Sequence, residues 1–193
     1  MNVDMKLFEM INQFAGKNDL LDQLVIYFSK YGVIAFCLVF VWLWFTKRGD
    51  QFNNRQLVLF ALTIAIFTIG INKILELSFF RERPFVAHDV NLLSDKTADD
   101  PSFPSNHAGG SFALAFAMFW RYRKPGTIFI GFAILMALSR LFLGVHYPTD
   151  VFVGMLIALI VAAIVTSQKA FFEKLFTPII RLYEKMIQSV MKR

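Results

Sequence analysis

At 193 residues, 56% of them hydrophobic and with a mean hydropathy of +0.53, the chain carries more apolar surface than a water-soluble domain can hide, and it reads as one integral-membrane domain over residues 1–193. Its net charge of +6 is divided among separate connections instead of forming one basic face, which argues against a nucleic-acid partner. The single cysteine, Cys37, lies inside an apolar run and excludes a disulfide framework.

Residues 1–23 carry a net −2, and their polar start lacks the pattern of a cleavable signal. Leu7, Met10, Ile11 and Phe14 recur at helical spacing and predict a short amphipathic helix at the membrane surface. Five apolar spans follow, at 24–45, 57–80, 106–120, 127–143 and 150–167. The expected fold is therefore all-α, a polytopic membrane helical bundle with about five or six transmembrane helices plus amphipathic terminal helices. The third and fourth spans are short against the roughly 20 residues that a bilayer core requires. Lys30, early in the first span, either snorkels or marks 20–30 as a stretch lying along the interface. Past the last span, Thr177-Pro178 reads as an N-cap with a first-turn proline. It opens a stretch in which Leu182, Tyr183, Met186, Ile187 and Val190 share a face, to lie on lipid or pack on the bundle.

Charge alternates along the connections. Residues 47–55 carry +2, 121–124 carry +3 and the stretch from Lys169 onward +4, whereas 81–104 carry −2. The positive-inside rule then puts the basic connections in the cytoplasm. The two connections holding Arg83–His107 and Arg140–Asp150 face outward together.

Those two connections hold the chemistry. In Pro104-Ser105-Asn106-His107, Ser105 or Asn106 caps the third span, so that free backbone N–H groups and the positive helix end can meet a phosphate oxygen beside His107. Gly109-Gly110 clears side chains where helices or substrate come close. Alone, the motif could be no more than a helix cap. Arg140, at the end of the fourth span, precedes His146 and Asp150. If the chain turns helical at Pro148, Asp150 can reach the imidazole Nδ1–H of His146, fix its tautomer and leave Nε2 as a nucleophile. Arginines are poor company for a cation and good ligands for phosphate, so a metal site is not expected. Arg83-Pro84 follows the second span and supplies a further anion ligand. His88 and the acidic residues Asp95, Asp99 and Asp100 read as solvated loop.

Taken together, Arg83-Pro84, Ser105-Asn106-His107 and Arg140…His146…Asp150 resemble the signature of the type-2 phosphatidic acid phosphatase superfamily. The Arg-Pro-Phe-Val-Ala-His and Ser-Phe-Pro-Ser-Asn-His runs are similar to those of the bacitracin-resistance type of bacterial undecaprenyl-diphosphatase. The resemblance implies a metal- and cofactor-free enzyme of the bacterial plasma membrane. Such an enzyme removes the terminal phosphate of an isoprenoid lipid diphosphate at the outer face and recycles the carrier for peptidoglycan synthesis. It implies His146 as nucleophile, Asp150 as its orienting carboxylate, and His107 as general acid and then base. Arg83, Arg140, Ser105 and Asn106 would hold phosphate. Because a lipid monophosphate leaves more readily than an alkoxide, His107 should matter less for a diphosphate than for a monoester. The chain departs from the family where the first motif carries a lysine, a position held here by Glu76. Lys73 one turn earlier, or Arg81, could replace it, and Glu76 could instead pair with Lys73. The alternatives are a phosphatase for phosphatidylglycerophosphate or phosphatidate and a catalytically silent lipid-phosphate binding or transport protein; the soluble vanadate haloperoxidases share the constellation but not the apolar spans.

Overall fold

The computed structural model describes residues 3–191, and among these every regular element is a helix. Their order is α1 (Val3–Asn12), α2 (Asp19–Phe45), α3 (Gln51–Ser78), α4 (Pro84–Ala87), α5 (Asn106–Arg121), α6 (Arg123–Phe142), α7 (Pro148–Ser167) and α8 (Lys169–Met191). The caps are local and chemical. Asn18 Oδ1 accepts from Leu21 N–H, Asp50 Oδ1 from Asn53 N–H and Ser105 Oγ from Ala108 N–H, each satisfying an otherwise orphan donor at a helix start.

All five apolar spans fall on helices, as an all-α membrane bundle requires, and among the described residues four of these helices, α2, α3, α6 and α7, are by length and composition apolar enough to cross a membrane. The 16 residues of α5 reach only about 24 Å at the usual rise. α5 is instead the axis of the bundle, packed against α3, α6 and α7. Its Ala108, Gly109, Ala113, Ala115 and Ala117 are buried, and small side chains let backbones approach where lipid offers no hydrophobic drive. Outward-facing Ile66, Ile74, Phe132, Ile160 and Ile164 stay exposed, as a lipid-facing surface requires.

α5 and α7 also approach each other closely. A Cβ on Gly154 would stand 2.6 Å from the carbonyl oxygen of Ser105 and 3.2 Å from the amide nitrogen of Gly109, both rigid backbone atoms. Gly154→Ala is expected to cost about 1–3 kcal/mol through overpacking. That lowers the apparent Tm by roughly 5 °C, and displacement of Ser105 cuts turnover about tenfold. Thermal unfolding in detergent beside an activity assay reads both, and a variant with wild-type Tm and turnover would refute the close packing.

The two terminal helices sit at opposite ends. α8 runs unbroken from Lys169 through Pro178, so the expected N-cap at Thr177 is corrected: Thr177 Oγ1 bonds back to the Glu173 carbonyl inside a continuing helix. Ile180 and Phe176 are buried, Tyr183 packs edge-on to Trp44 at 5.2 Å, and Arg55 pairs with Glu184 at 2.6 Å. Leu182, Met186, Ile187 and Val190 remain exposed, so the helix packs on the bundle through one side and leaves apolar side chains uncovered on the other.

α1 lies at the other end. Its predicted apolar face, Leu7, Met10 and Phe14, is exposed, while Asp4, Phe8 and Asn12 form the inward stripe. Asn12 donates to the Phe142 carbonyl at 2.9 Å and to the Asn91 carbonyl at 2.8 Å. Beside it the turn after α6 passes through Gly144 at φ +79, where a Cβ would meet Asn91 O at 2.5 Å.

Candidate active site

The α1 end of the bundle collects many of the buried polar residues. His146 is 4% exposed in the link between α6 and α7. Its Nδ1 stands 2.7 Å from the carbonyl oxygen of Ser102. A carbonyl can only accept, so Nδ1 carries the proton and Nε2 keeps the lone pair. That Nε2 faces Arg83 Nη1 at 3.4 Å.

The carboxylate of Asp150 does not make the direct bond anticipated from its spacing. Its Oδ2 is 3.7 Å from His146 Nδ1, beyond hydrogen-bond range. α7 does begin at Pro148, but the carboxylate turns back to accept from Tyr147 N–H at 2.8 Å, as a third-residue acid at a helix start commonly does. It also accepts from the Ser102 hydroxyl and from Arg81 Nη1 at 2.6 Å. Asp150 therefore holds the residue that holds His146.

Arg83 is fixed by its Nε to the Asp100 carbonyl at 2.9 Å and by Nη1 to the Val145 carbonyl at 2.8 Å. Arg140, 5% exposed, donates through Nη1 to the Ser29 hydroxyl, and its buried Nε has no partner among the described residues. An unpaired buried guanidinium donor is costly in a finished structure and suits an anion. Arg140 and His107 line one cavity of about 750 Å³. Ser105 caps α5, and its own N–H donates to the Asp150 backbone carbonyl at 3.0 Å, which ties the second motif to the third. Asn106 turns its amide toward Glu76 at 3.4 Å.

Neither anticipated stand-in for the missing lysine faces this cavity. Lys73 pairs with Glu76 at 2.8 Å on an exposed face. Arg81 bridges Asp150 and Asp4, the latter at 2.7 Å, and stacks on Tyr147 with 3.9 Å to the ring centroid. His88 is exposed beside Tyr147, away from the reacting groups. Three contributors escaped the sequence reading: Ser102, Ser29 and Asp4. Ser102 stood within the Ser-Phe-Pro-Ser-Asn-His run, and Asp4 leads the 4-8-12 repeat of α1, so each left a trace; Ser29 left none.

Burial pushes the pKa of His146 down to about 4, with Asp150 opposing and the two arginines assisting the fall. The ring is thus neutral and nucleophilic across the physiological range. The unfolded chain binds the proton first, so this residue's share of stability is present above about pH 6.5 and is lost as pH falls toward 4. The imidazole signal that disappears in His146→Gln is expected to titrate near pH 4 by NMR; titration at about 6.5, the free value, would mean a solvated ring.

With this geometry in place, the comparisons with known proteins become informative. The PAP2 superfamily profile matches residues 56–174. The chain is 31% identical over 188 residues to undecaprenyl-diphosphatase BcrC of Bacillus subtilis, covering 97% of this chain and 95% of the relative. It is 29% identical to the bacitracin transport permease protein BcrC of Bacillus licheniformis, covering 98% and 91%. Among solved structures, Aquifex aeolicus LpxE superposes with a TM-score of 0.71 at 26% identity, over 86% of this chain and 96% of that one.

Proposed function

We propose, for a chain that belongs to the PAP2 superfamily and is a multi-pass membrane lipid phosphatase, that it removes the terminal phosphate of undecaprenyl diphosphate at the outer face of the bacterial plasma membrane. The product, undecaprenyl phosphate, returns to peptidoglycan synthesis, and its steady supply opposes bacitracin. The substrate rests on the near full-length likeness to an undecaprenyl-diphosphatase. The mechanism rests on one observation, the Ser102 carbonyl at His146 Nδ1, which leaves the Nε2 lone pair turned to Arg83. The outward orientation rests on the charge alternation of the connections.

In this reading the terminal phosphate sits at the N-terminus of α5, between Arg83 and Arg140. His146 Nε2 attacks phosphorus in line, and the bond from phosphorus to the bridging oxygen breaks. His107, whose pKa burial and then Arg140 push down to about 3 in the free site, takes up a proton as the anionic substrate binds and gives it to the departing undecaprenyl phosphate. The phosphohistidine is then hydrolysed by a water that yields its proton to His107, releasing inorganic phosphate and the neutral His146 ring. The arginines and the α5 amides stabilise the equatorial charge as it builds. Ser105 holds the α5 start in place.

The test is phosphate release from undecaprenyl diphosphate by the purified protein in detergent with EDTA. Sustained release is the expected result. A strict need for added metal would remove the histidine mechanism, and release from phosphatidylglycerophosphate alone would remove the substrate.

A further inference from the structure

Lys30 is the only charged residue between Asp22 and the end of α2 at Phe45, in a helix long and apolar enough to cross a membrane. A lone ammonium there is expensive unless it faces a polar space with a task. Among the described residues Lys30 has no carboxylate within ion-pair distance; its ammonium lies over the ring of the adjacent Tyr31, 5.6 Å from the centroid. It does face a polar space. Lys30 lines the same 750 Å³ cavity as His107 and Arg140. Its neighbour Ser29 holds Arg140, which fixes Lys30 one residue from an anchor of the reacting phosphate.

Lys96 also lines this cavity, from the outer connection. It pairs with Asp100 at 2.5 Å, and the Asp100 carbonyl in turn holds Arg83. Two ammonium groups from separate elements thus line the space with Arg140, beside the carboxylates of Asp95 and Asp100. Asp100 pairs with Lys96, whereas among the described residues no carboxylate pairs with Lys30.

We propose that Lys30, assisted by Lys96, forms the subsite for the phosphate that stays on the lipid, and that it sets a preference for diphosphates over monophosphates. This rests on the substrate reading above. The reacting phosphate occupies the arginines and the α5 N-terminus, so a second phosphate in the cavity meets Lys30 next. As the bridging bond breaks, negative charge accumulates on that second phosphate, and a cation placed there acts on turnover as well as binding. A monophosphate ester offers Lys30 nothing. Lys30 and Lys96 also restore, from other elements, the cationic charge that Glu76 removes from the usual position in the first motif.

Undecaprenyl diphosphate and undecaprenyl monophosphate share a tail and differ only in the second phosphate. Their kcat/KM values are compared for the full chain in detergent, beside equilibrium binding of methylenediphosphonate and of inorganic phosphate. In Lys30→Met the kcat/KM for the diphosphate is expected to fall about tenfold or more relative to that for the monophosphate, as loss of a charge-assisted contact implies. Methylenediphosphonate should lose its advantage over phosphate, Lys30→Arg should restore most of both, and Lys96→Met should cost less. Equal losses on the two lipids, or an unchanged preference, would overturn the subsite while leaving the phosphatase reading intact. A wild type that does not cleave the diphosphate would overturn the substrate reading; binding of methylenediphosphonate then decides the subsite alone, which stands if the Lys30→Met loss persists and falls if it does not.

Discussion

His146→Ala is expected to lower phosphate release by about ten-thousandfold, the scale seen when a covalent nucleophile is deleted. The ring is buried, its Nδ1 proton is committed to the Ser102 carbonyl, and its Nε2, the proposed nucleophile, is turned to Arg83. His107, the proposed proton donor, lines the cavity. The loss should fall on kcat, because Arg83 and Arg140 keep their own anchors at Val145, Asp100 and Ser29 and still bind phosphate. Acid-labile label should be trapped on wild-type protein quenched during turnover of lipid carrying a radioactive terminal phosphate, and should be absent from the variant. Label retained by the variant, or activity within about tenfold of wild type, would assign the attack to another group.

The second large effect is expected at Asp150, for a reason that its distance from the imidazole makes plain. At 3.7 Å it does not hold His146 directly; it holds the Ser102 hydroxyl, Arg81 and the Tyr147 amide. In Asp150→Asn one oxygen becomes a donor facing donors, and Arg81 keeps only Asp4 as a counter-charge. The Ser102 carbonyl then loses its fixed position. The expected outcome is a fall in kcat of about a hundred- to a thousandfold, smaller than for His146→Ala, with KM altered little. Asp150→Ala should also lower stability, by about 3–5 kcal/mol, since it strips a partner from a buried pair. Near wild-type kcat in Asp150→Asn would show that the Ser102 peptide keeps its place unaided.

Much of this was legible in the residue order, for identifiable reasons. Apolar spans announce themselves, and each of the five became a helix. Charge at their ends grouped the Arg83–His107 and Arg140–Asp150 connections, which the fold brings into contact through Arg83 and His146. Ser105 as cap and Pro148 as helix start followed from local chemistry. What local chemistry cannot reveal is which of several equally placed partners a side chain selects. Asp150 lies four residues from His146, the right spacing for a helical pair, yet the backbone amide of Tyr147 and the hydroxyl of Ser102, 48 residues away, compete successfully for its oxygens. Pro178 misled in the opposite sense: first-turn proline is common, but α8 had already begun at Lys169, so the ring lies within a helix supported by Phe176 and Ile180. The partners of Asp4 and Asn12 could not be read from the sequence, because nothing nearby calls for them.

Those two residues also set an order of events during synthesis. Asp4 accepts from the amide and hydroxyl of Thr149, 145 positions later, and Asn12 bonds the carbonyl of Phe142 at a separation of 130. α1 can find these partners only after the link between α6 and α7 has been made. Until α7 has formed, Arg81 lacks Asp150 and Ser102 has no carboxylate to hold it. The cluster around His146 is therefore complete only when α1 and the start of α7 have closed over the same few side chains.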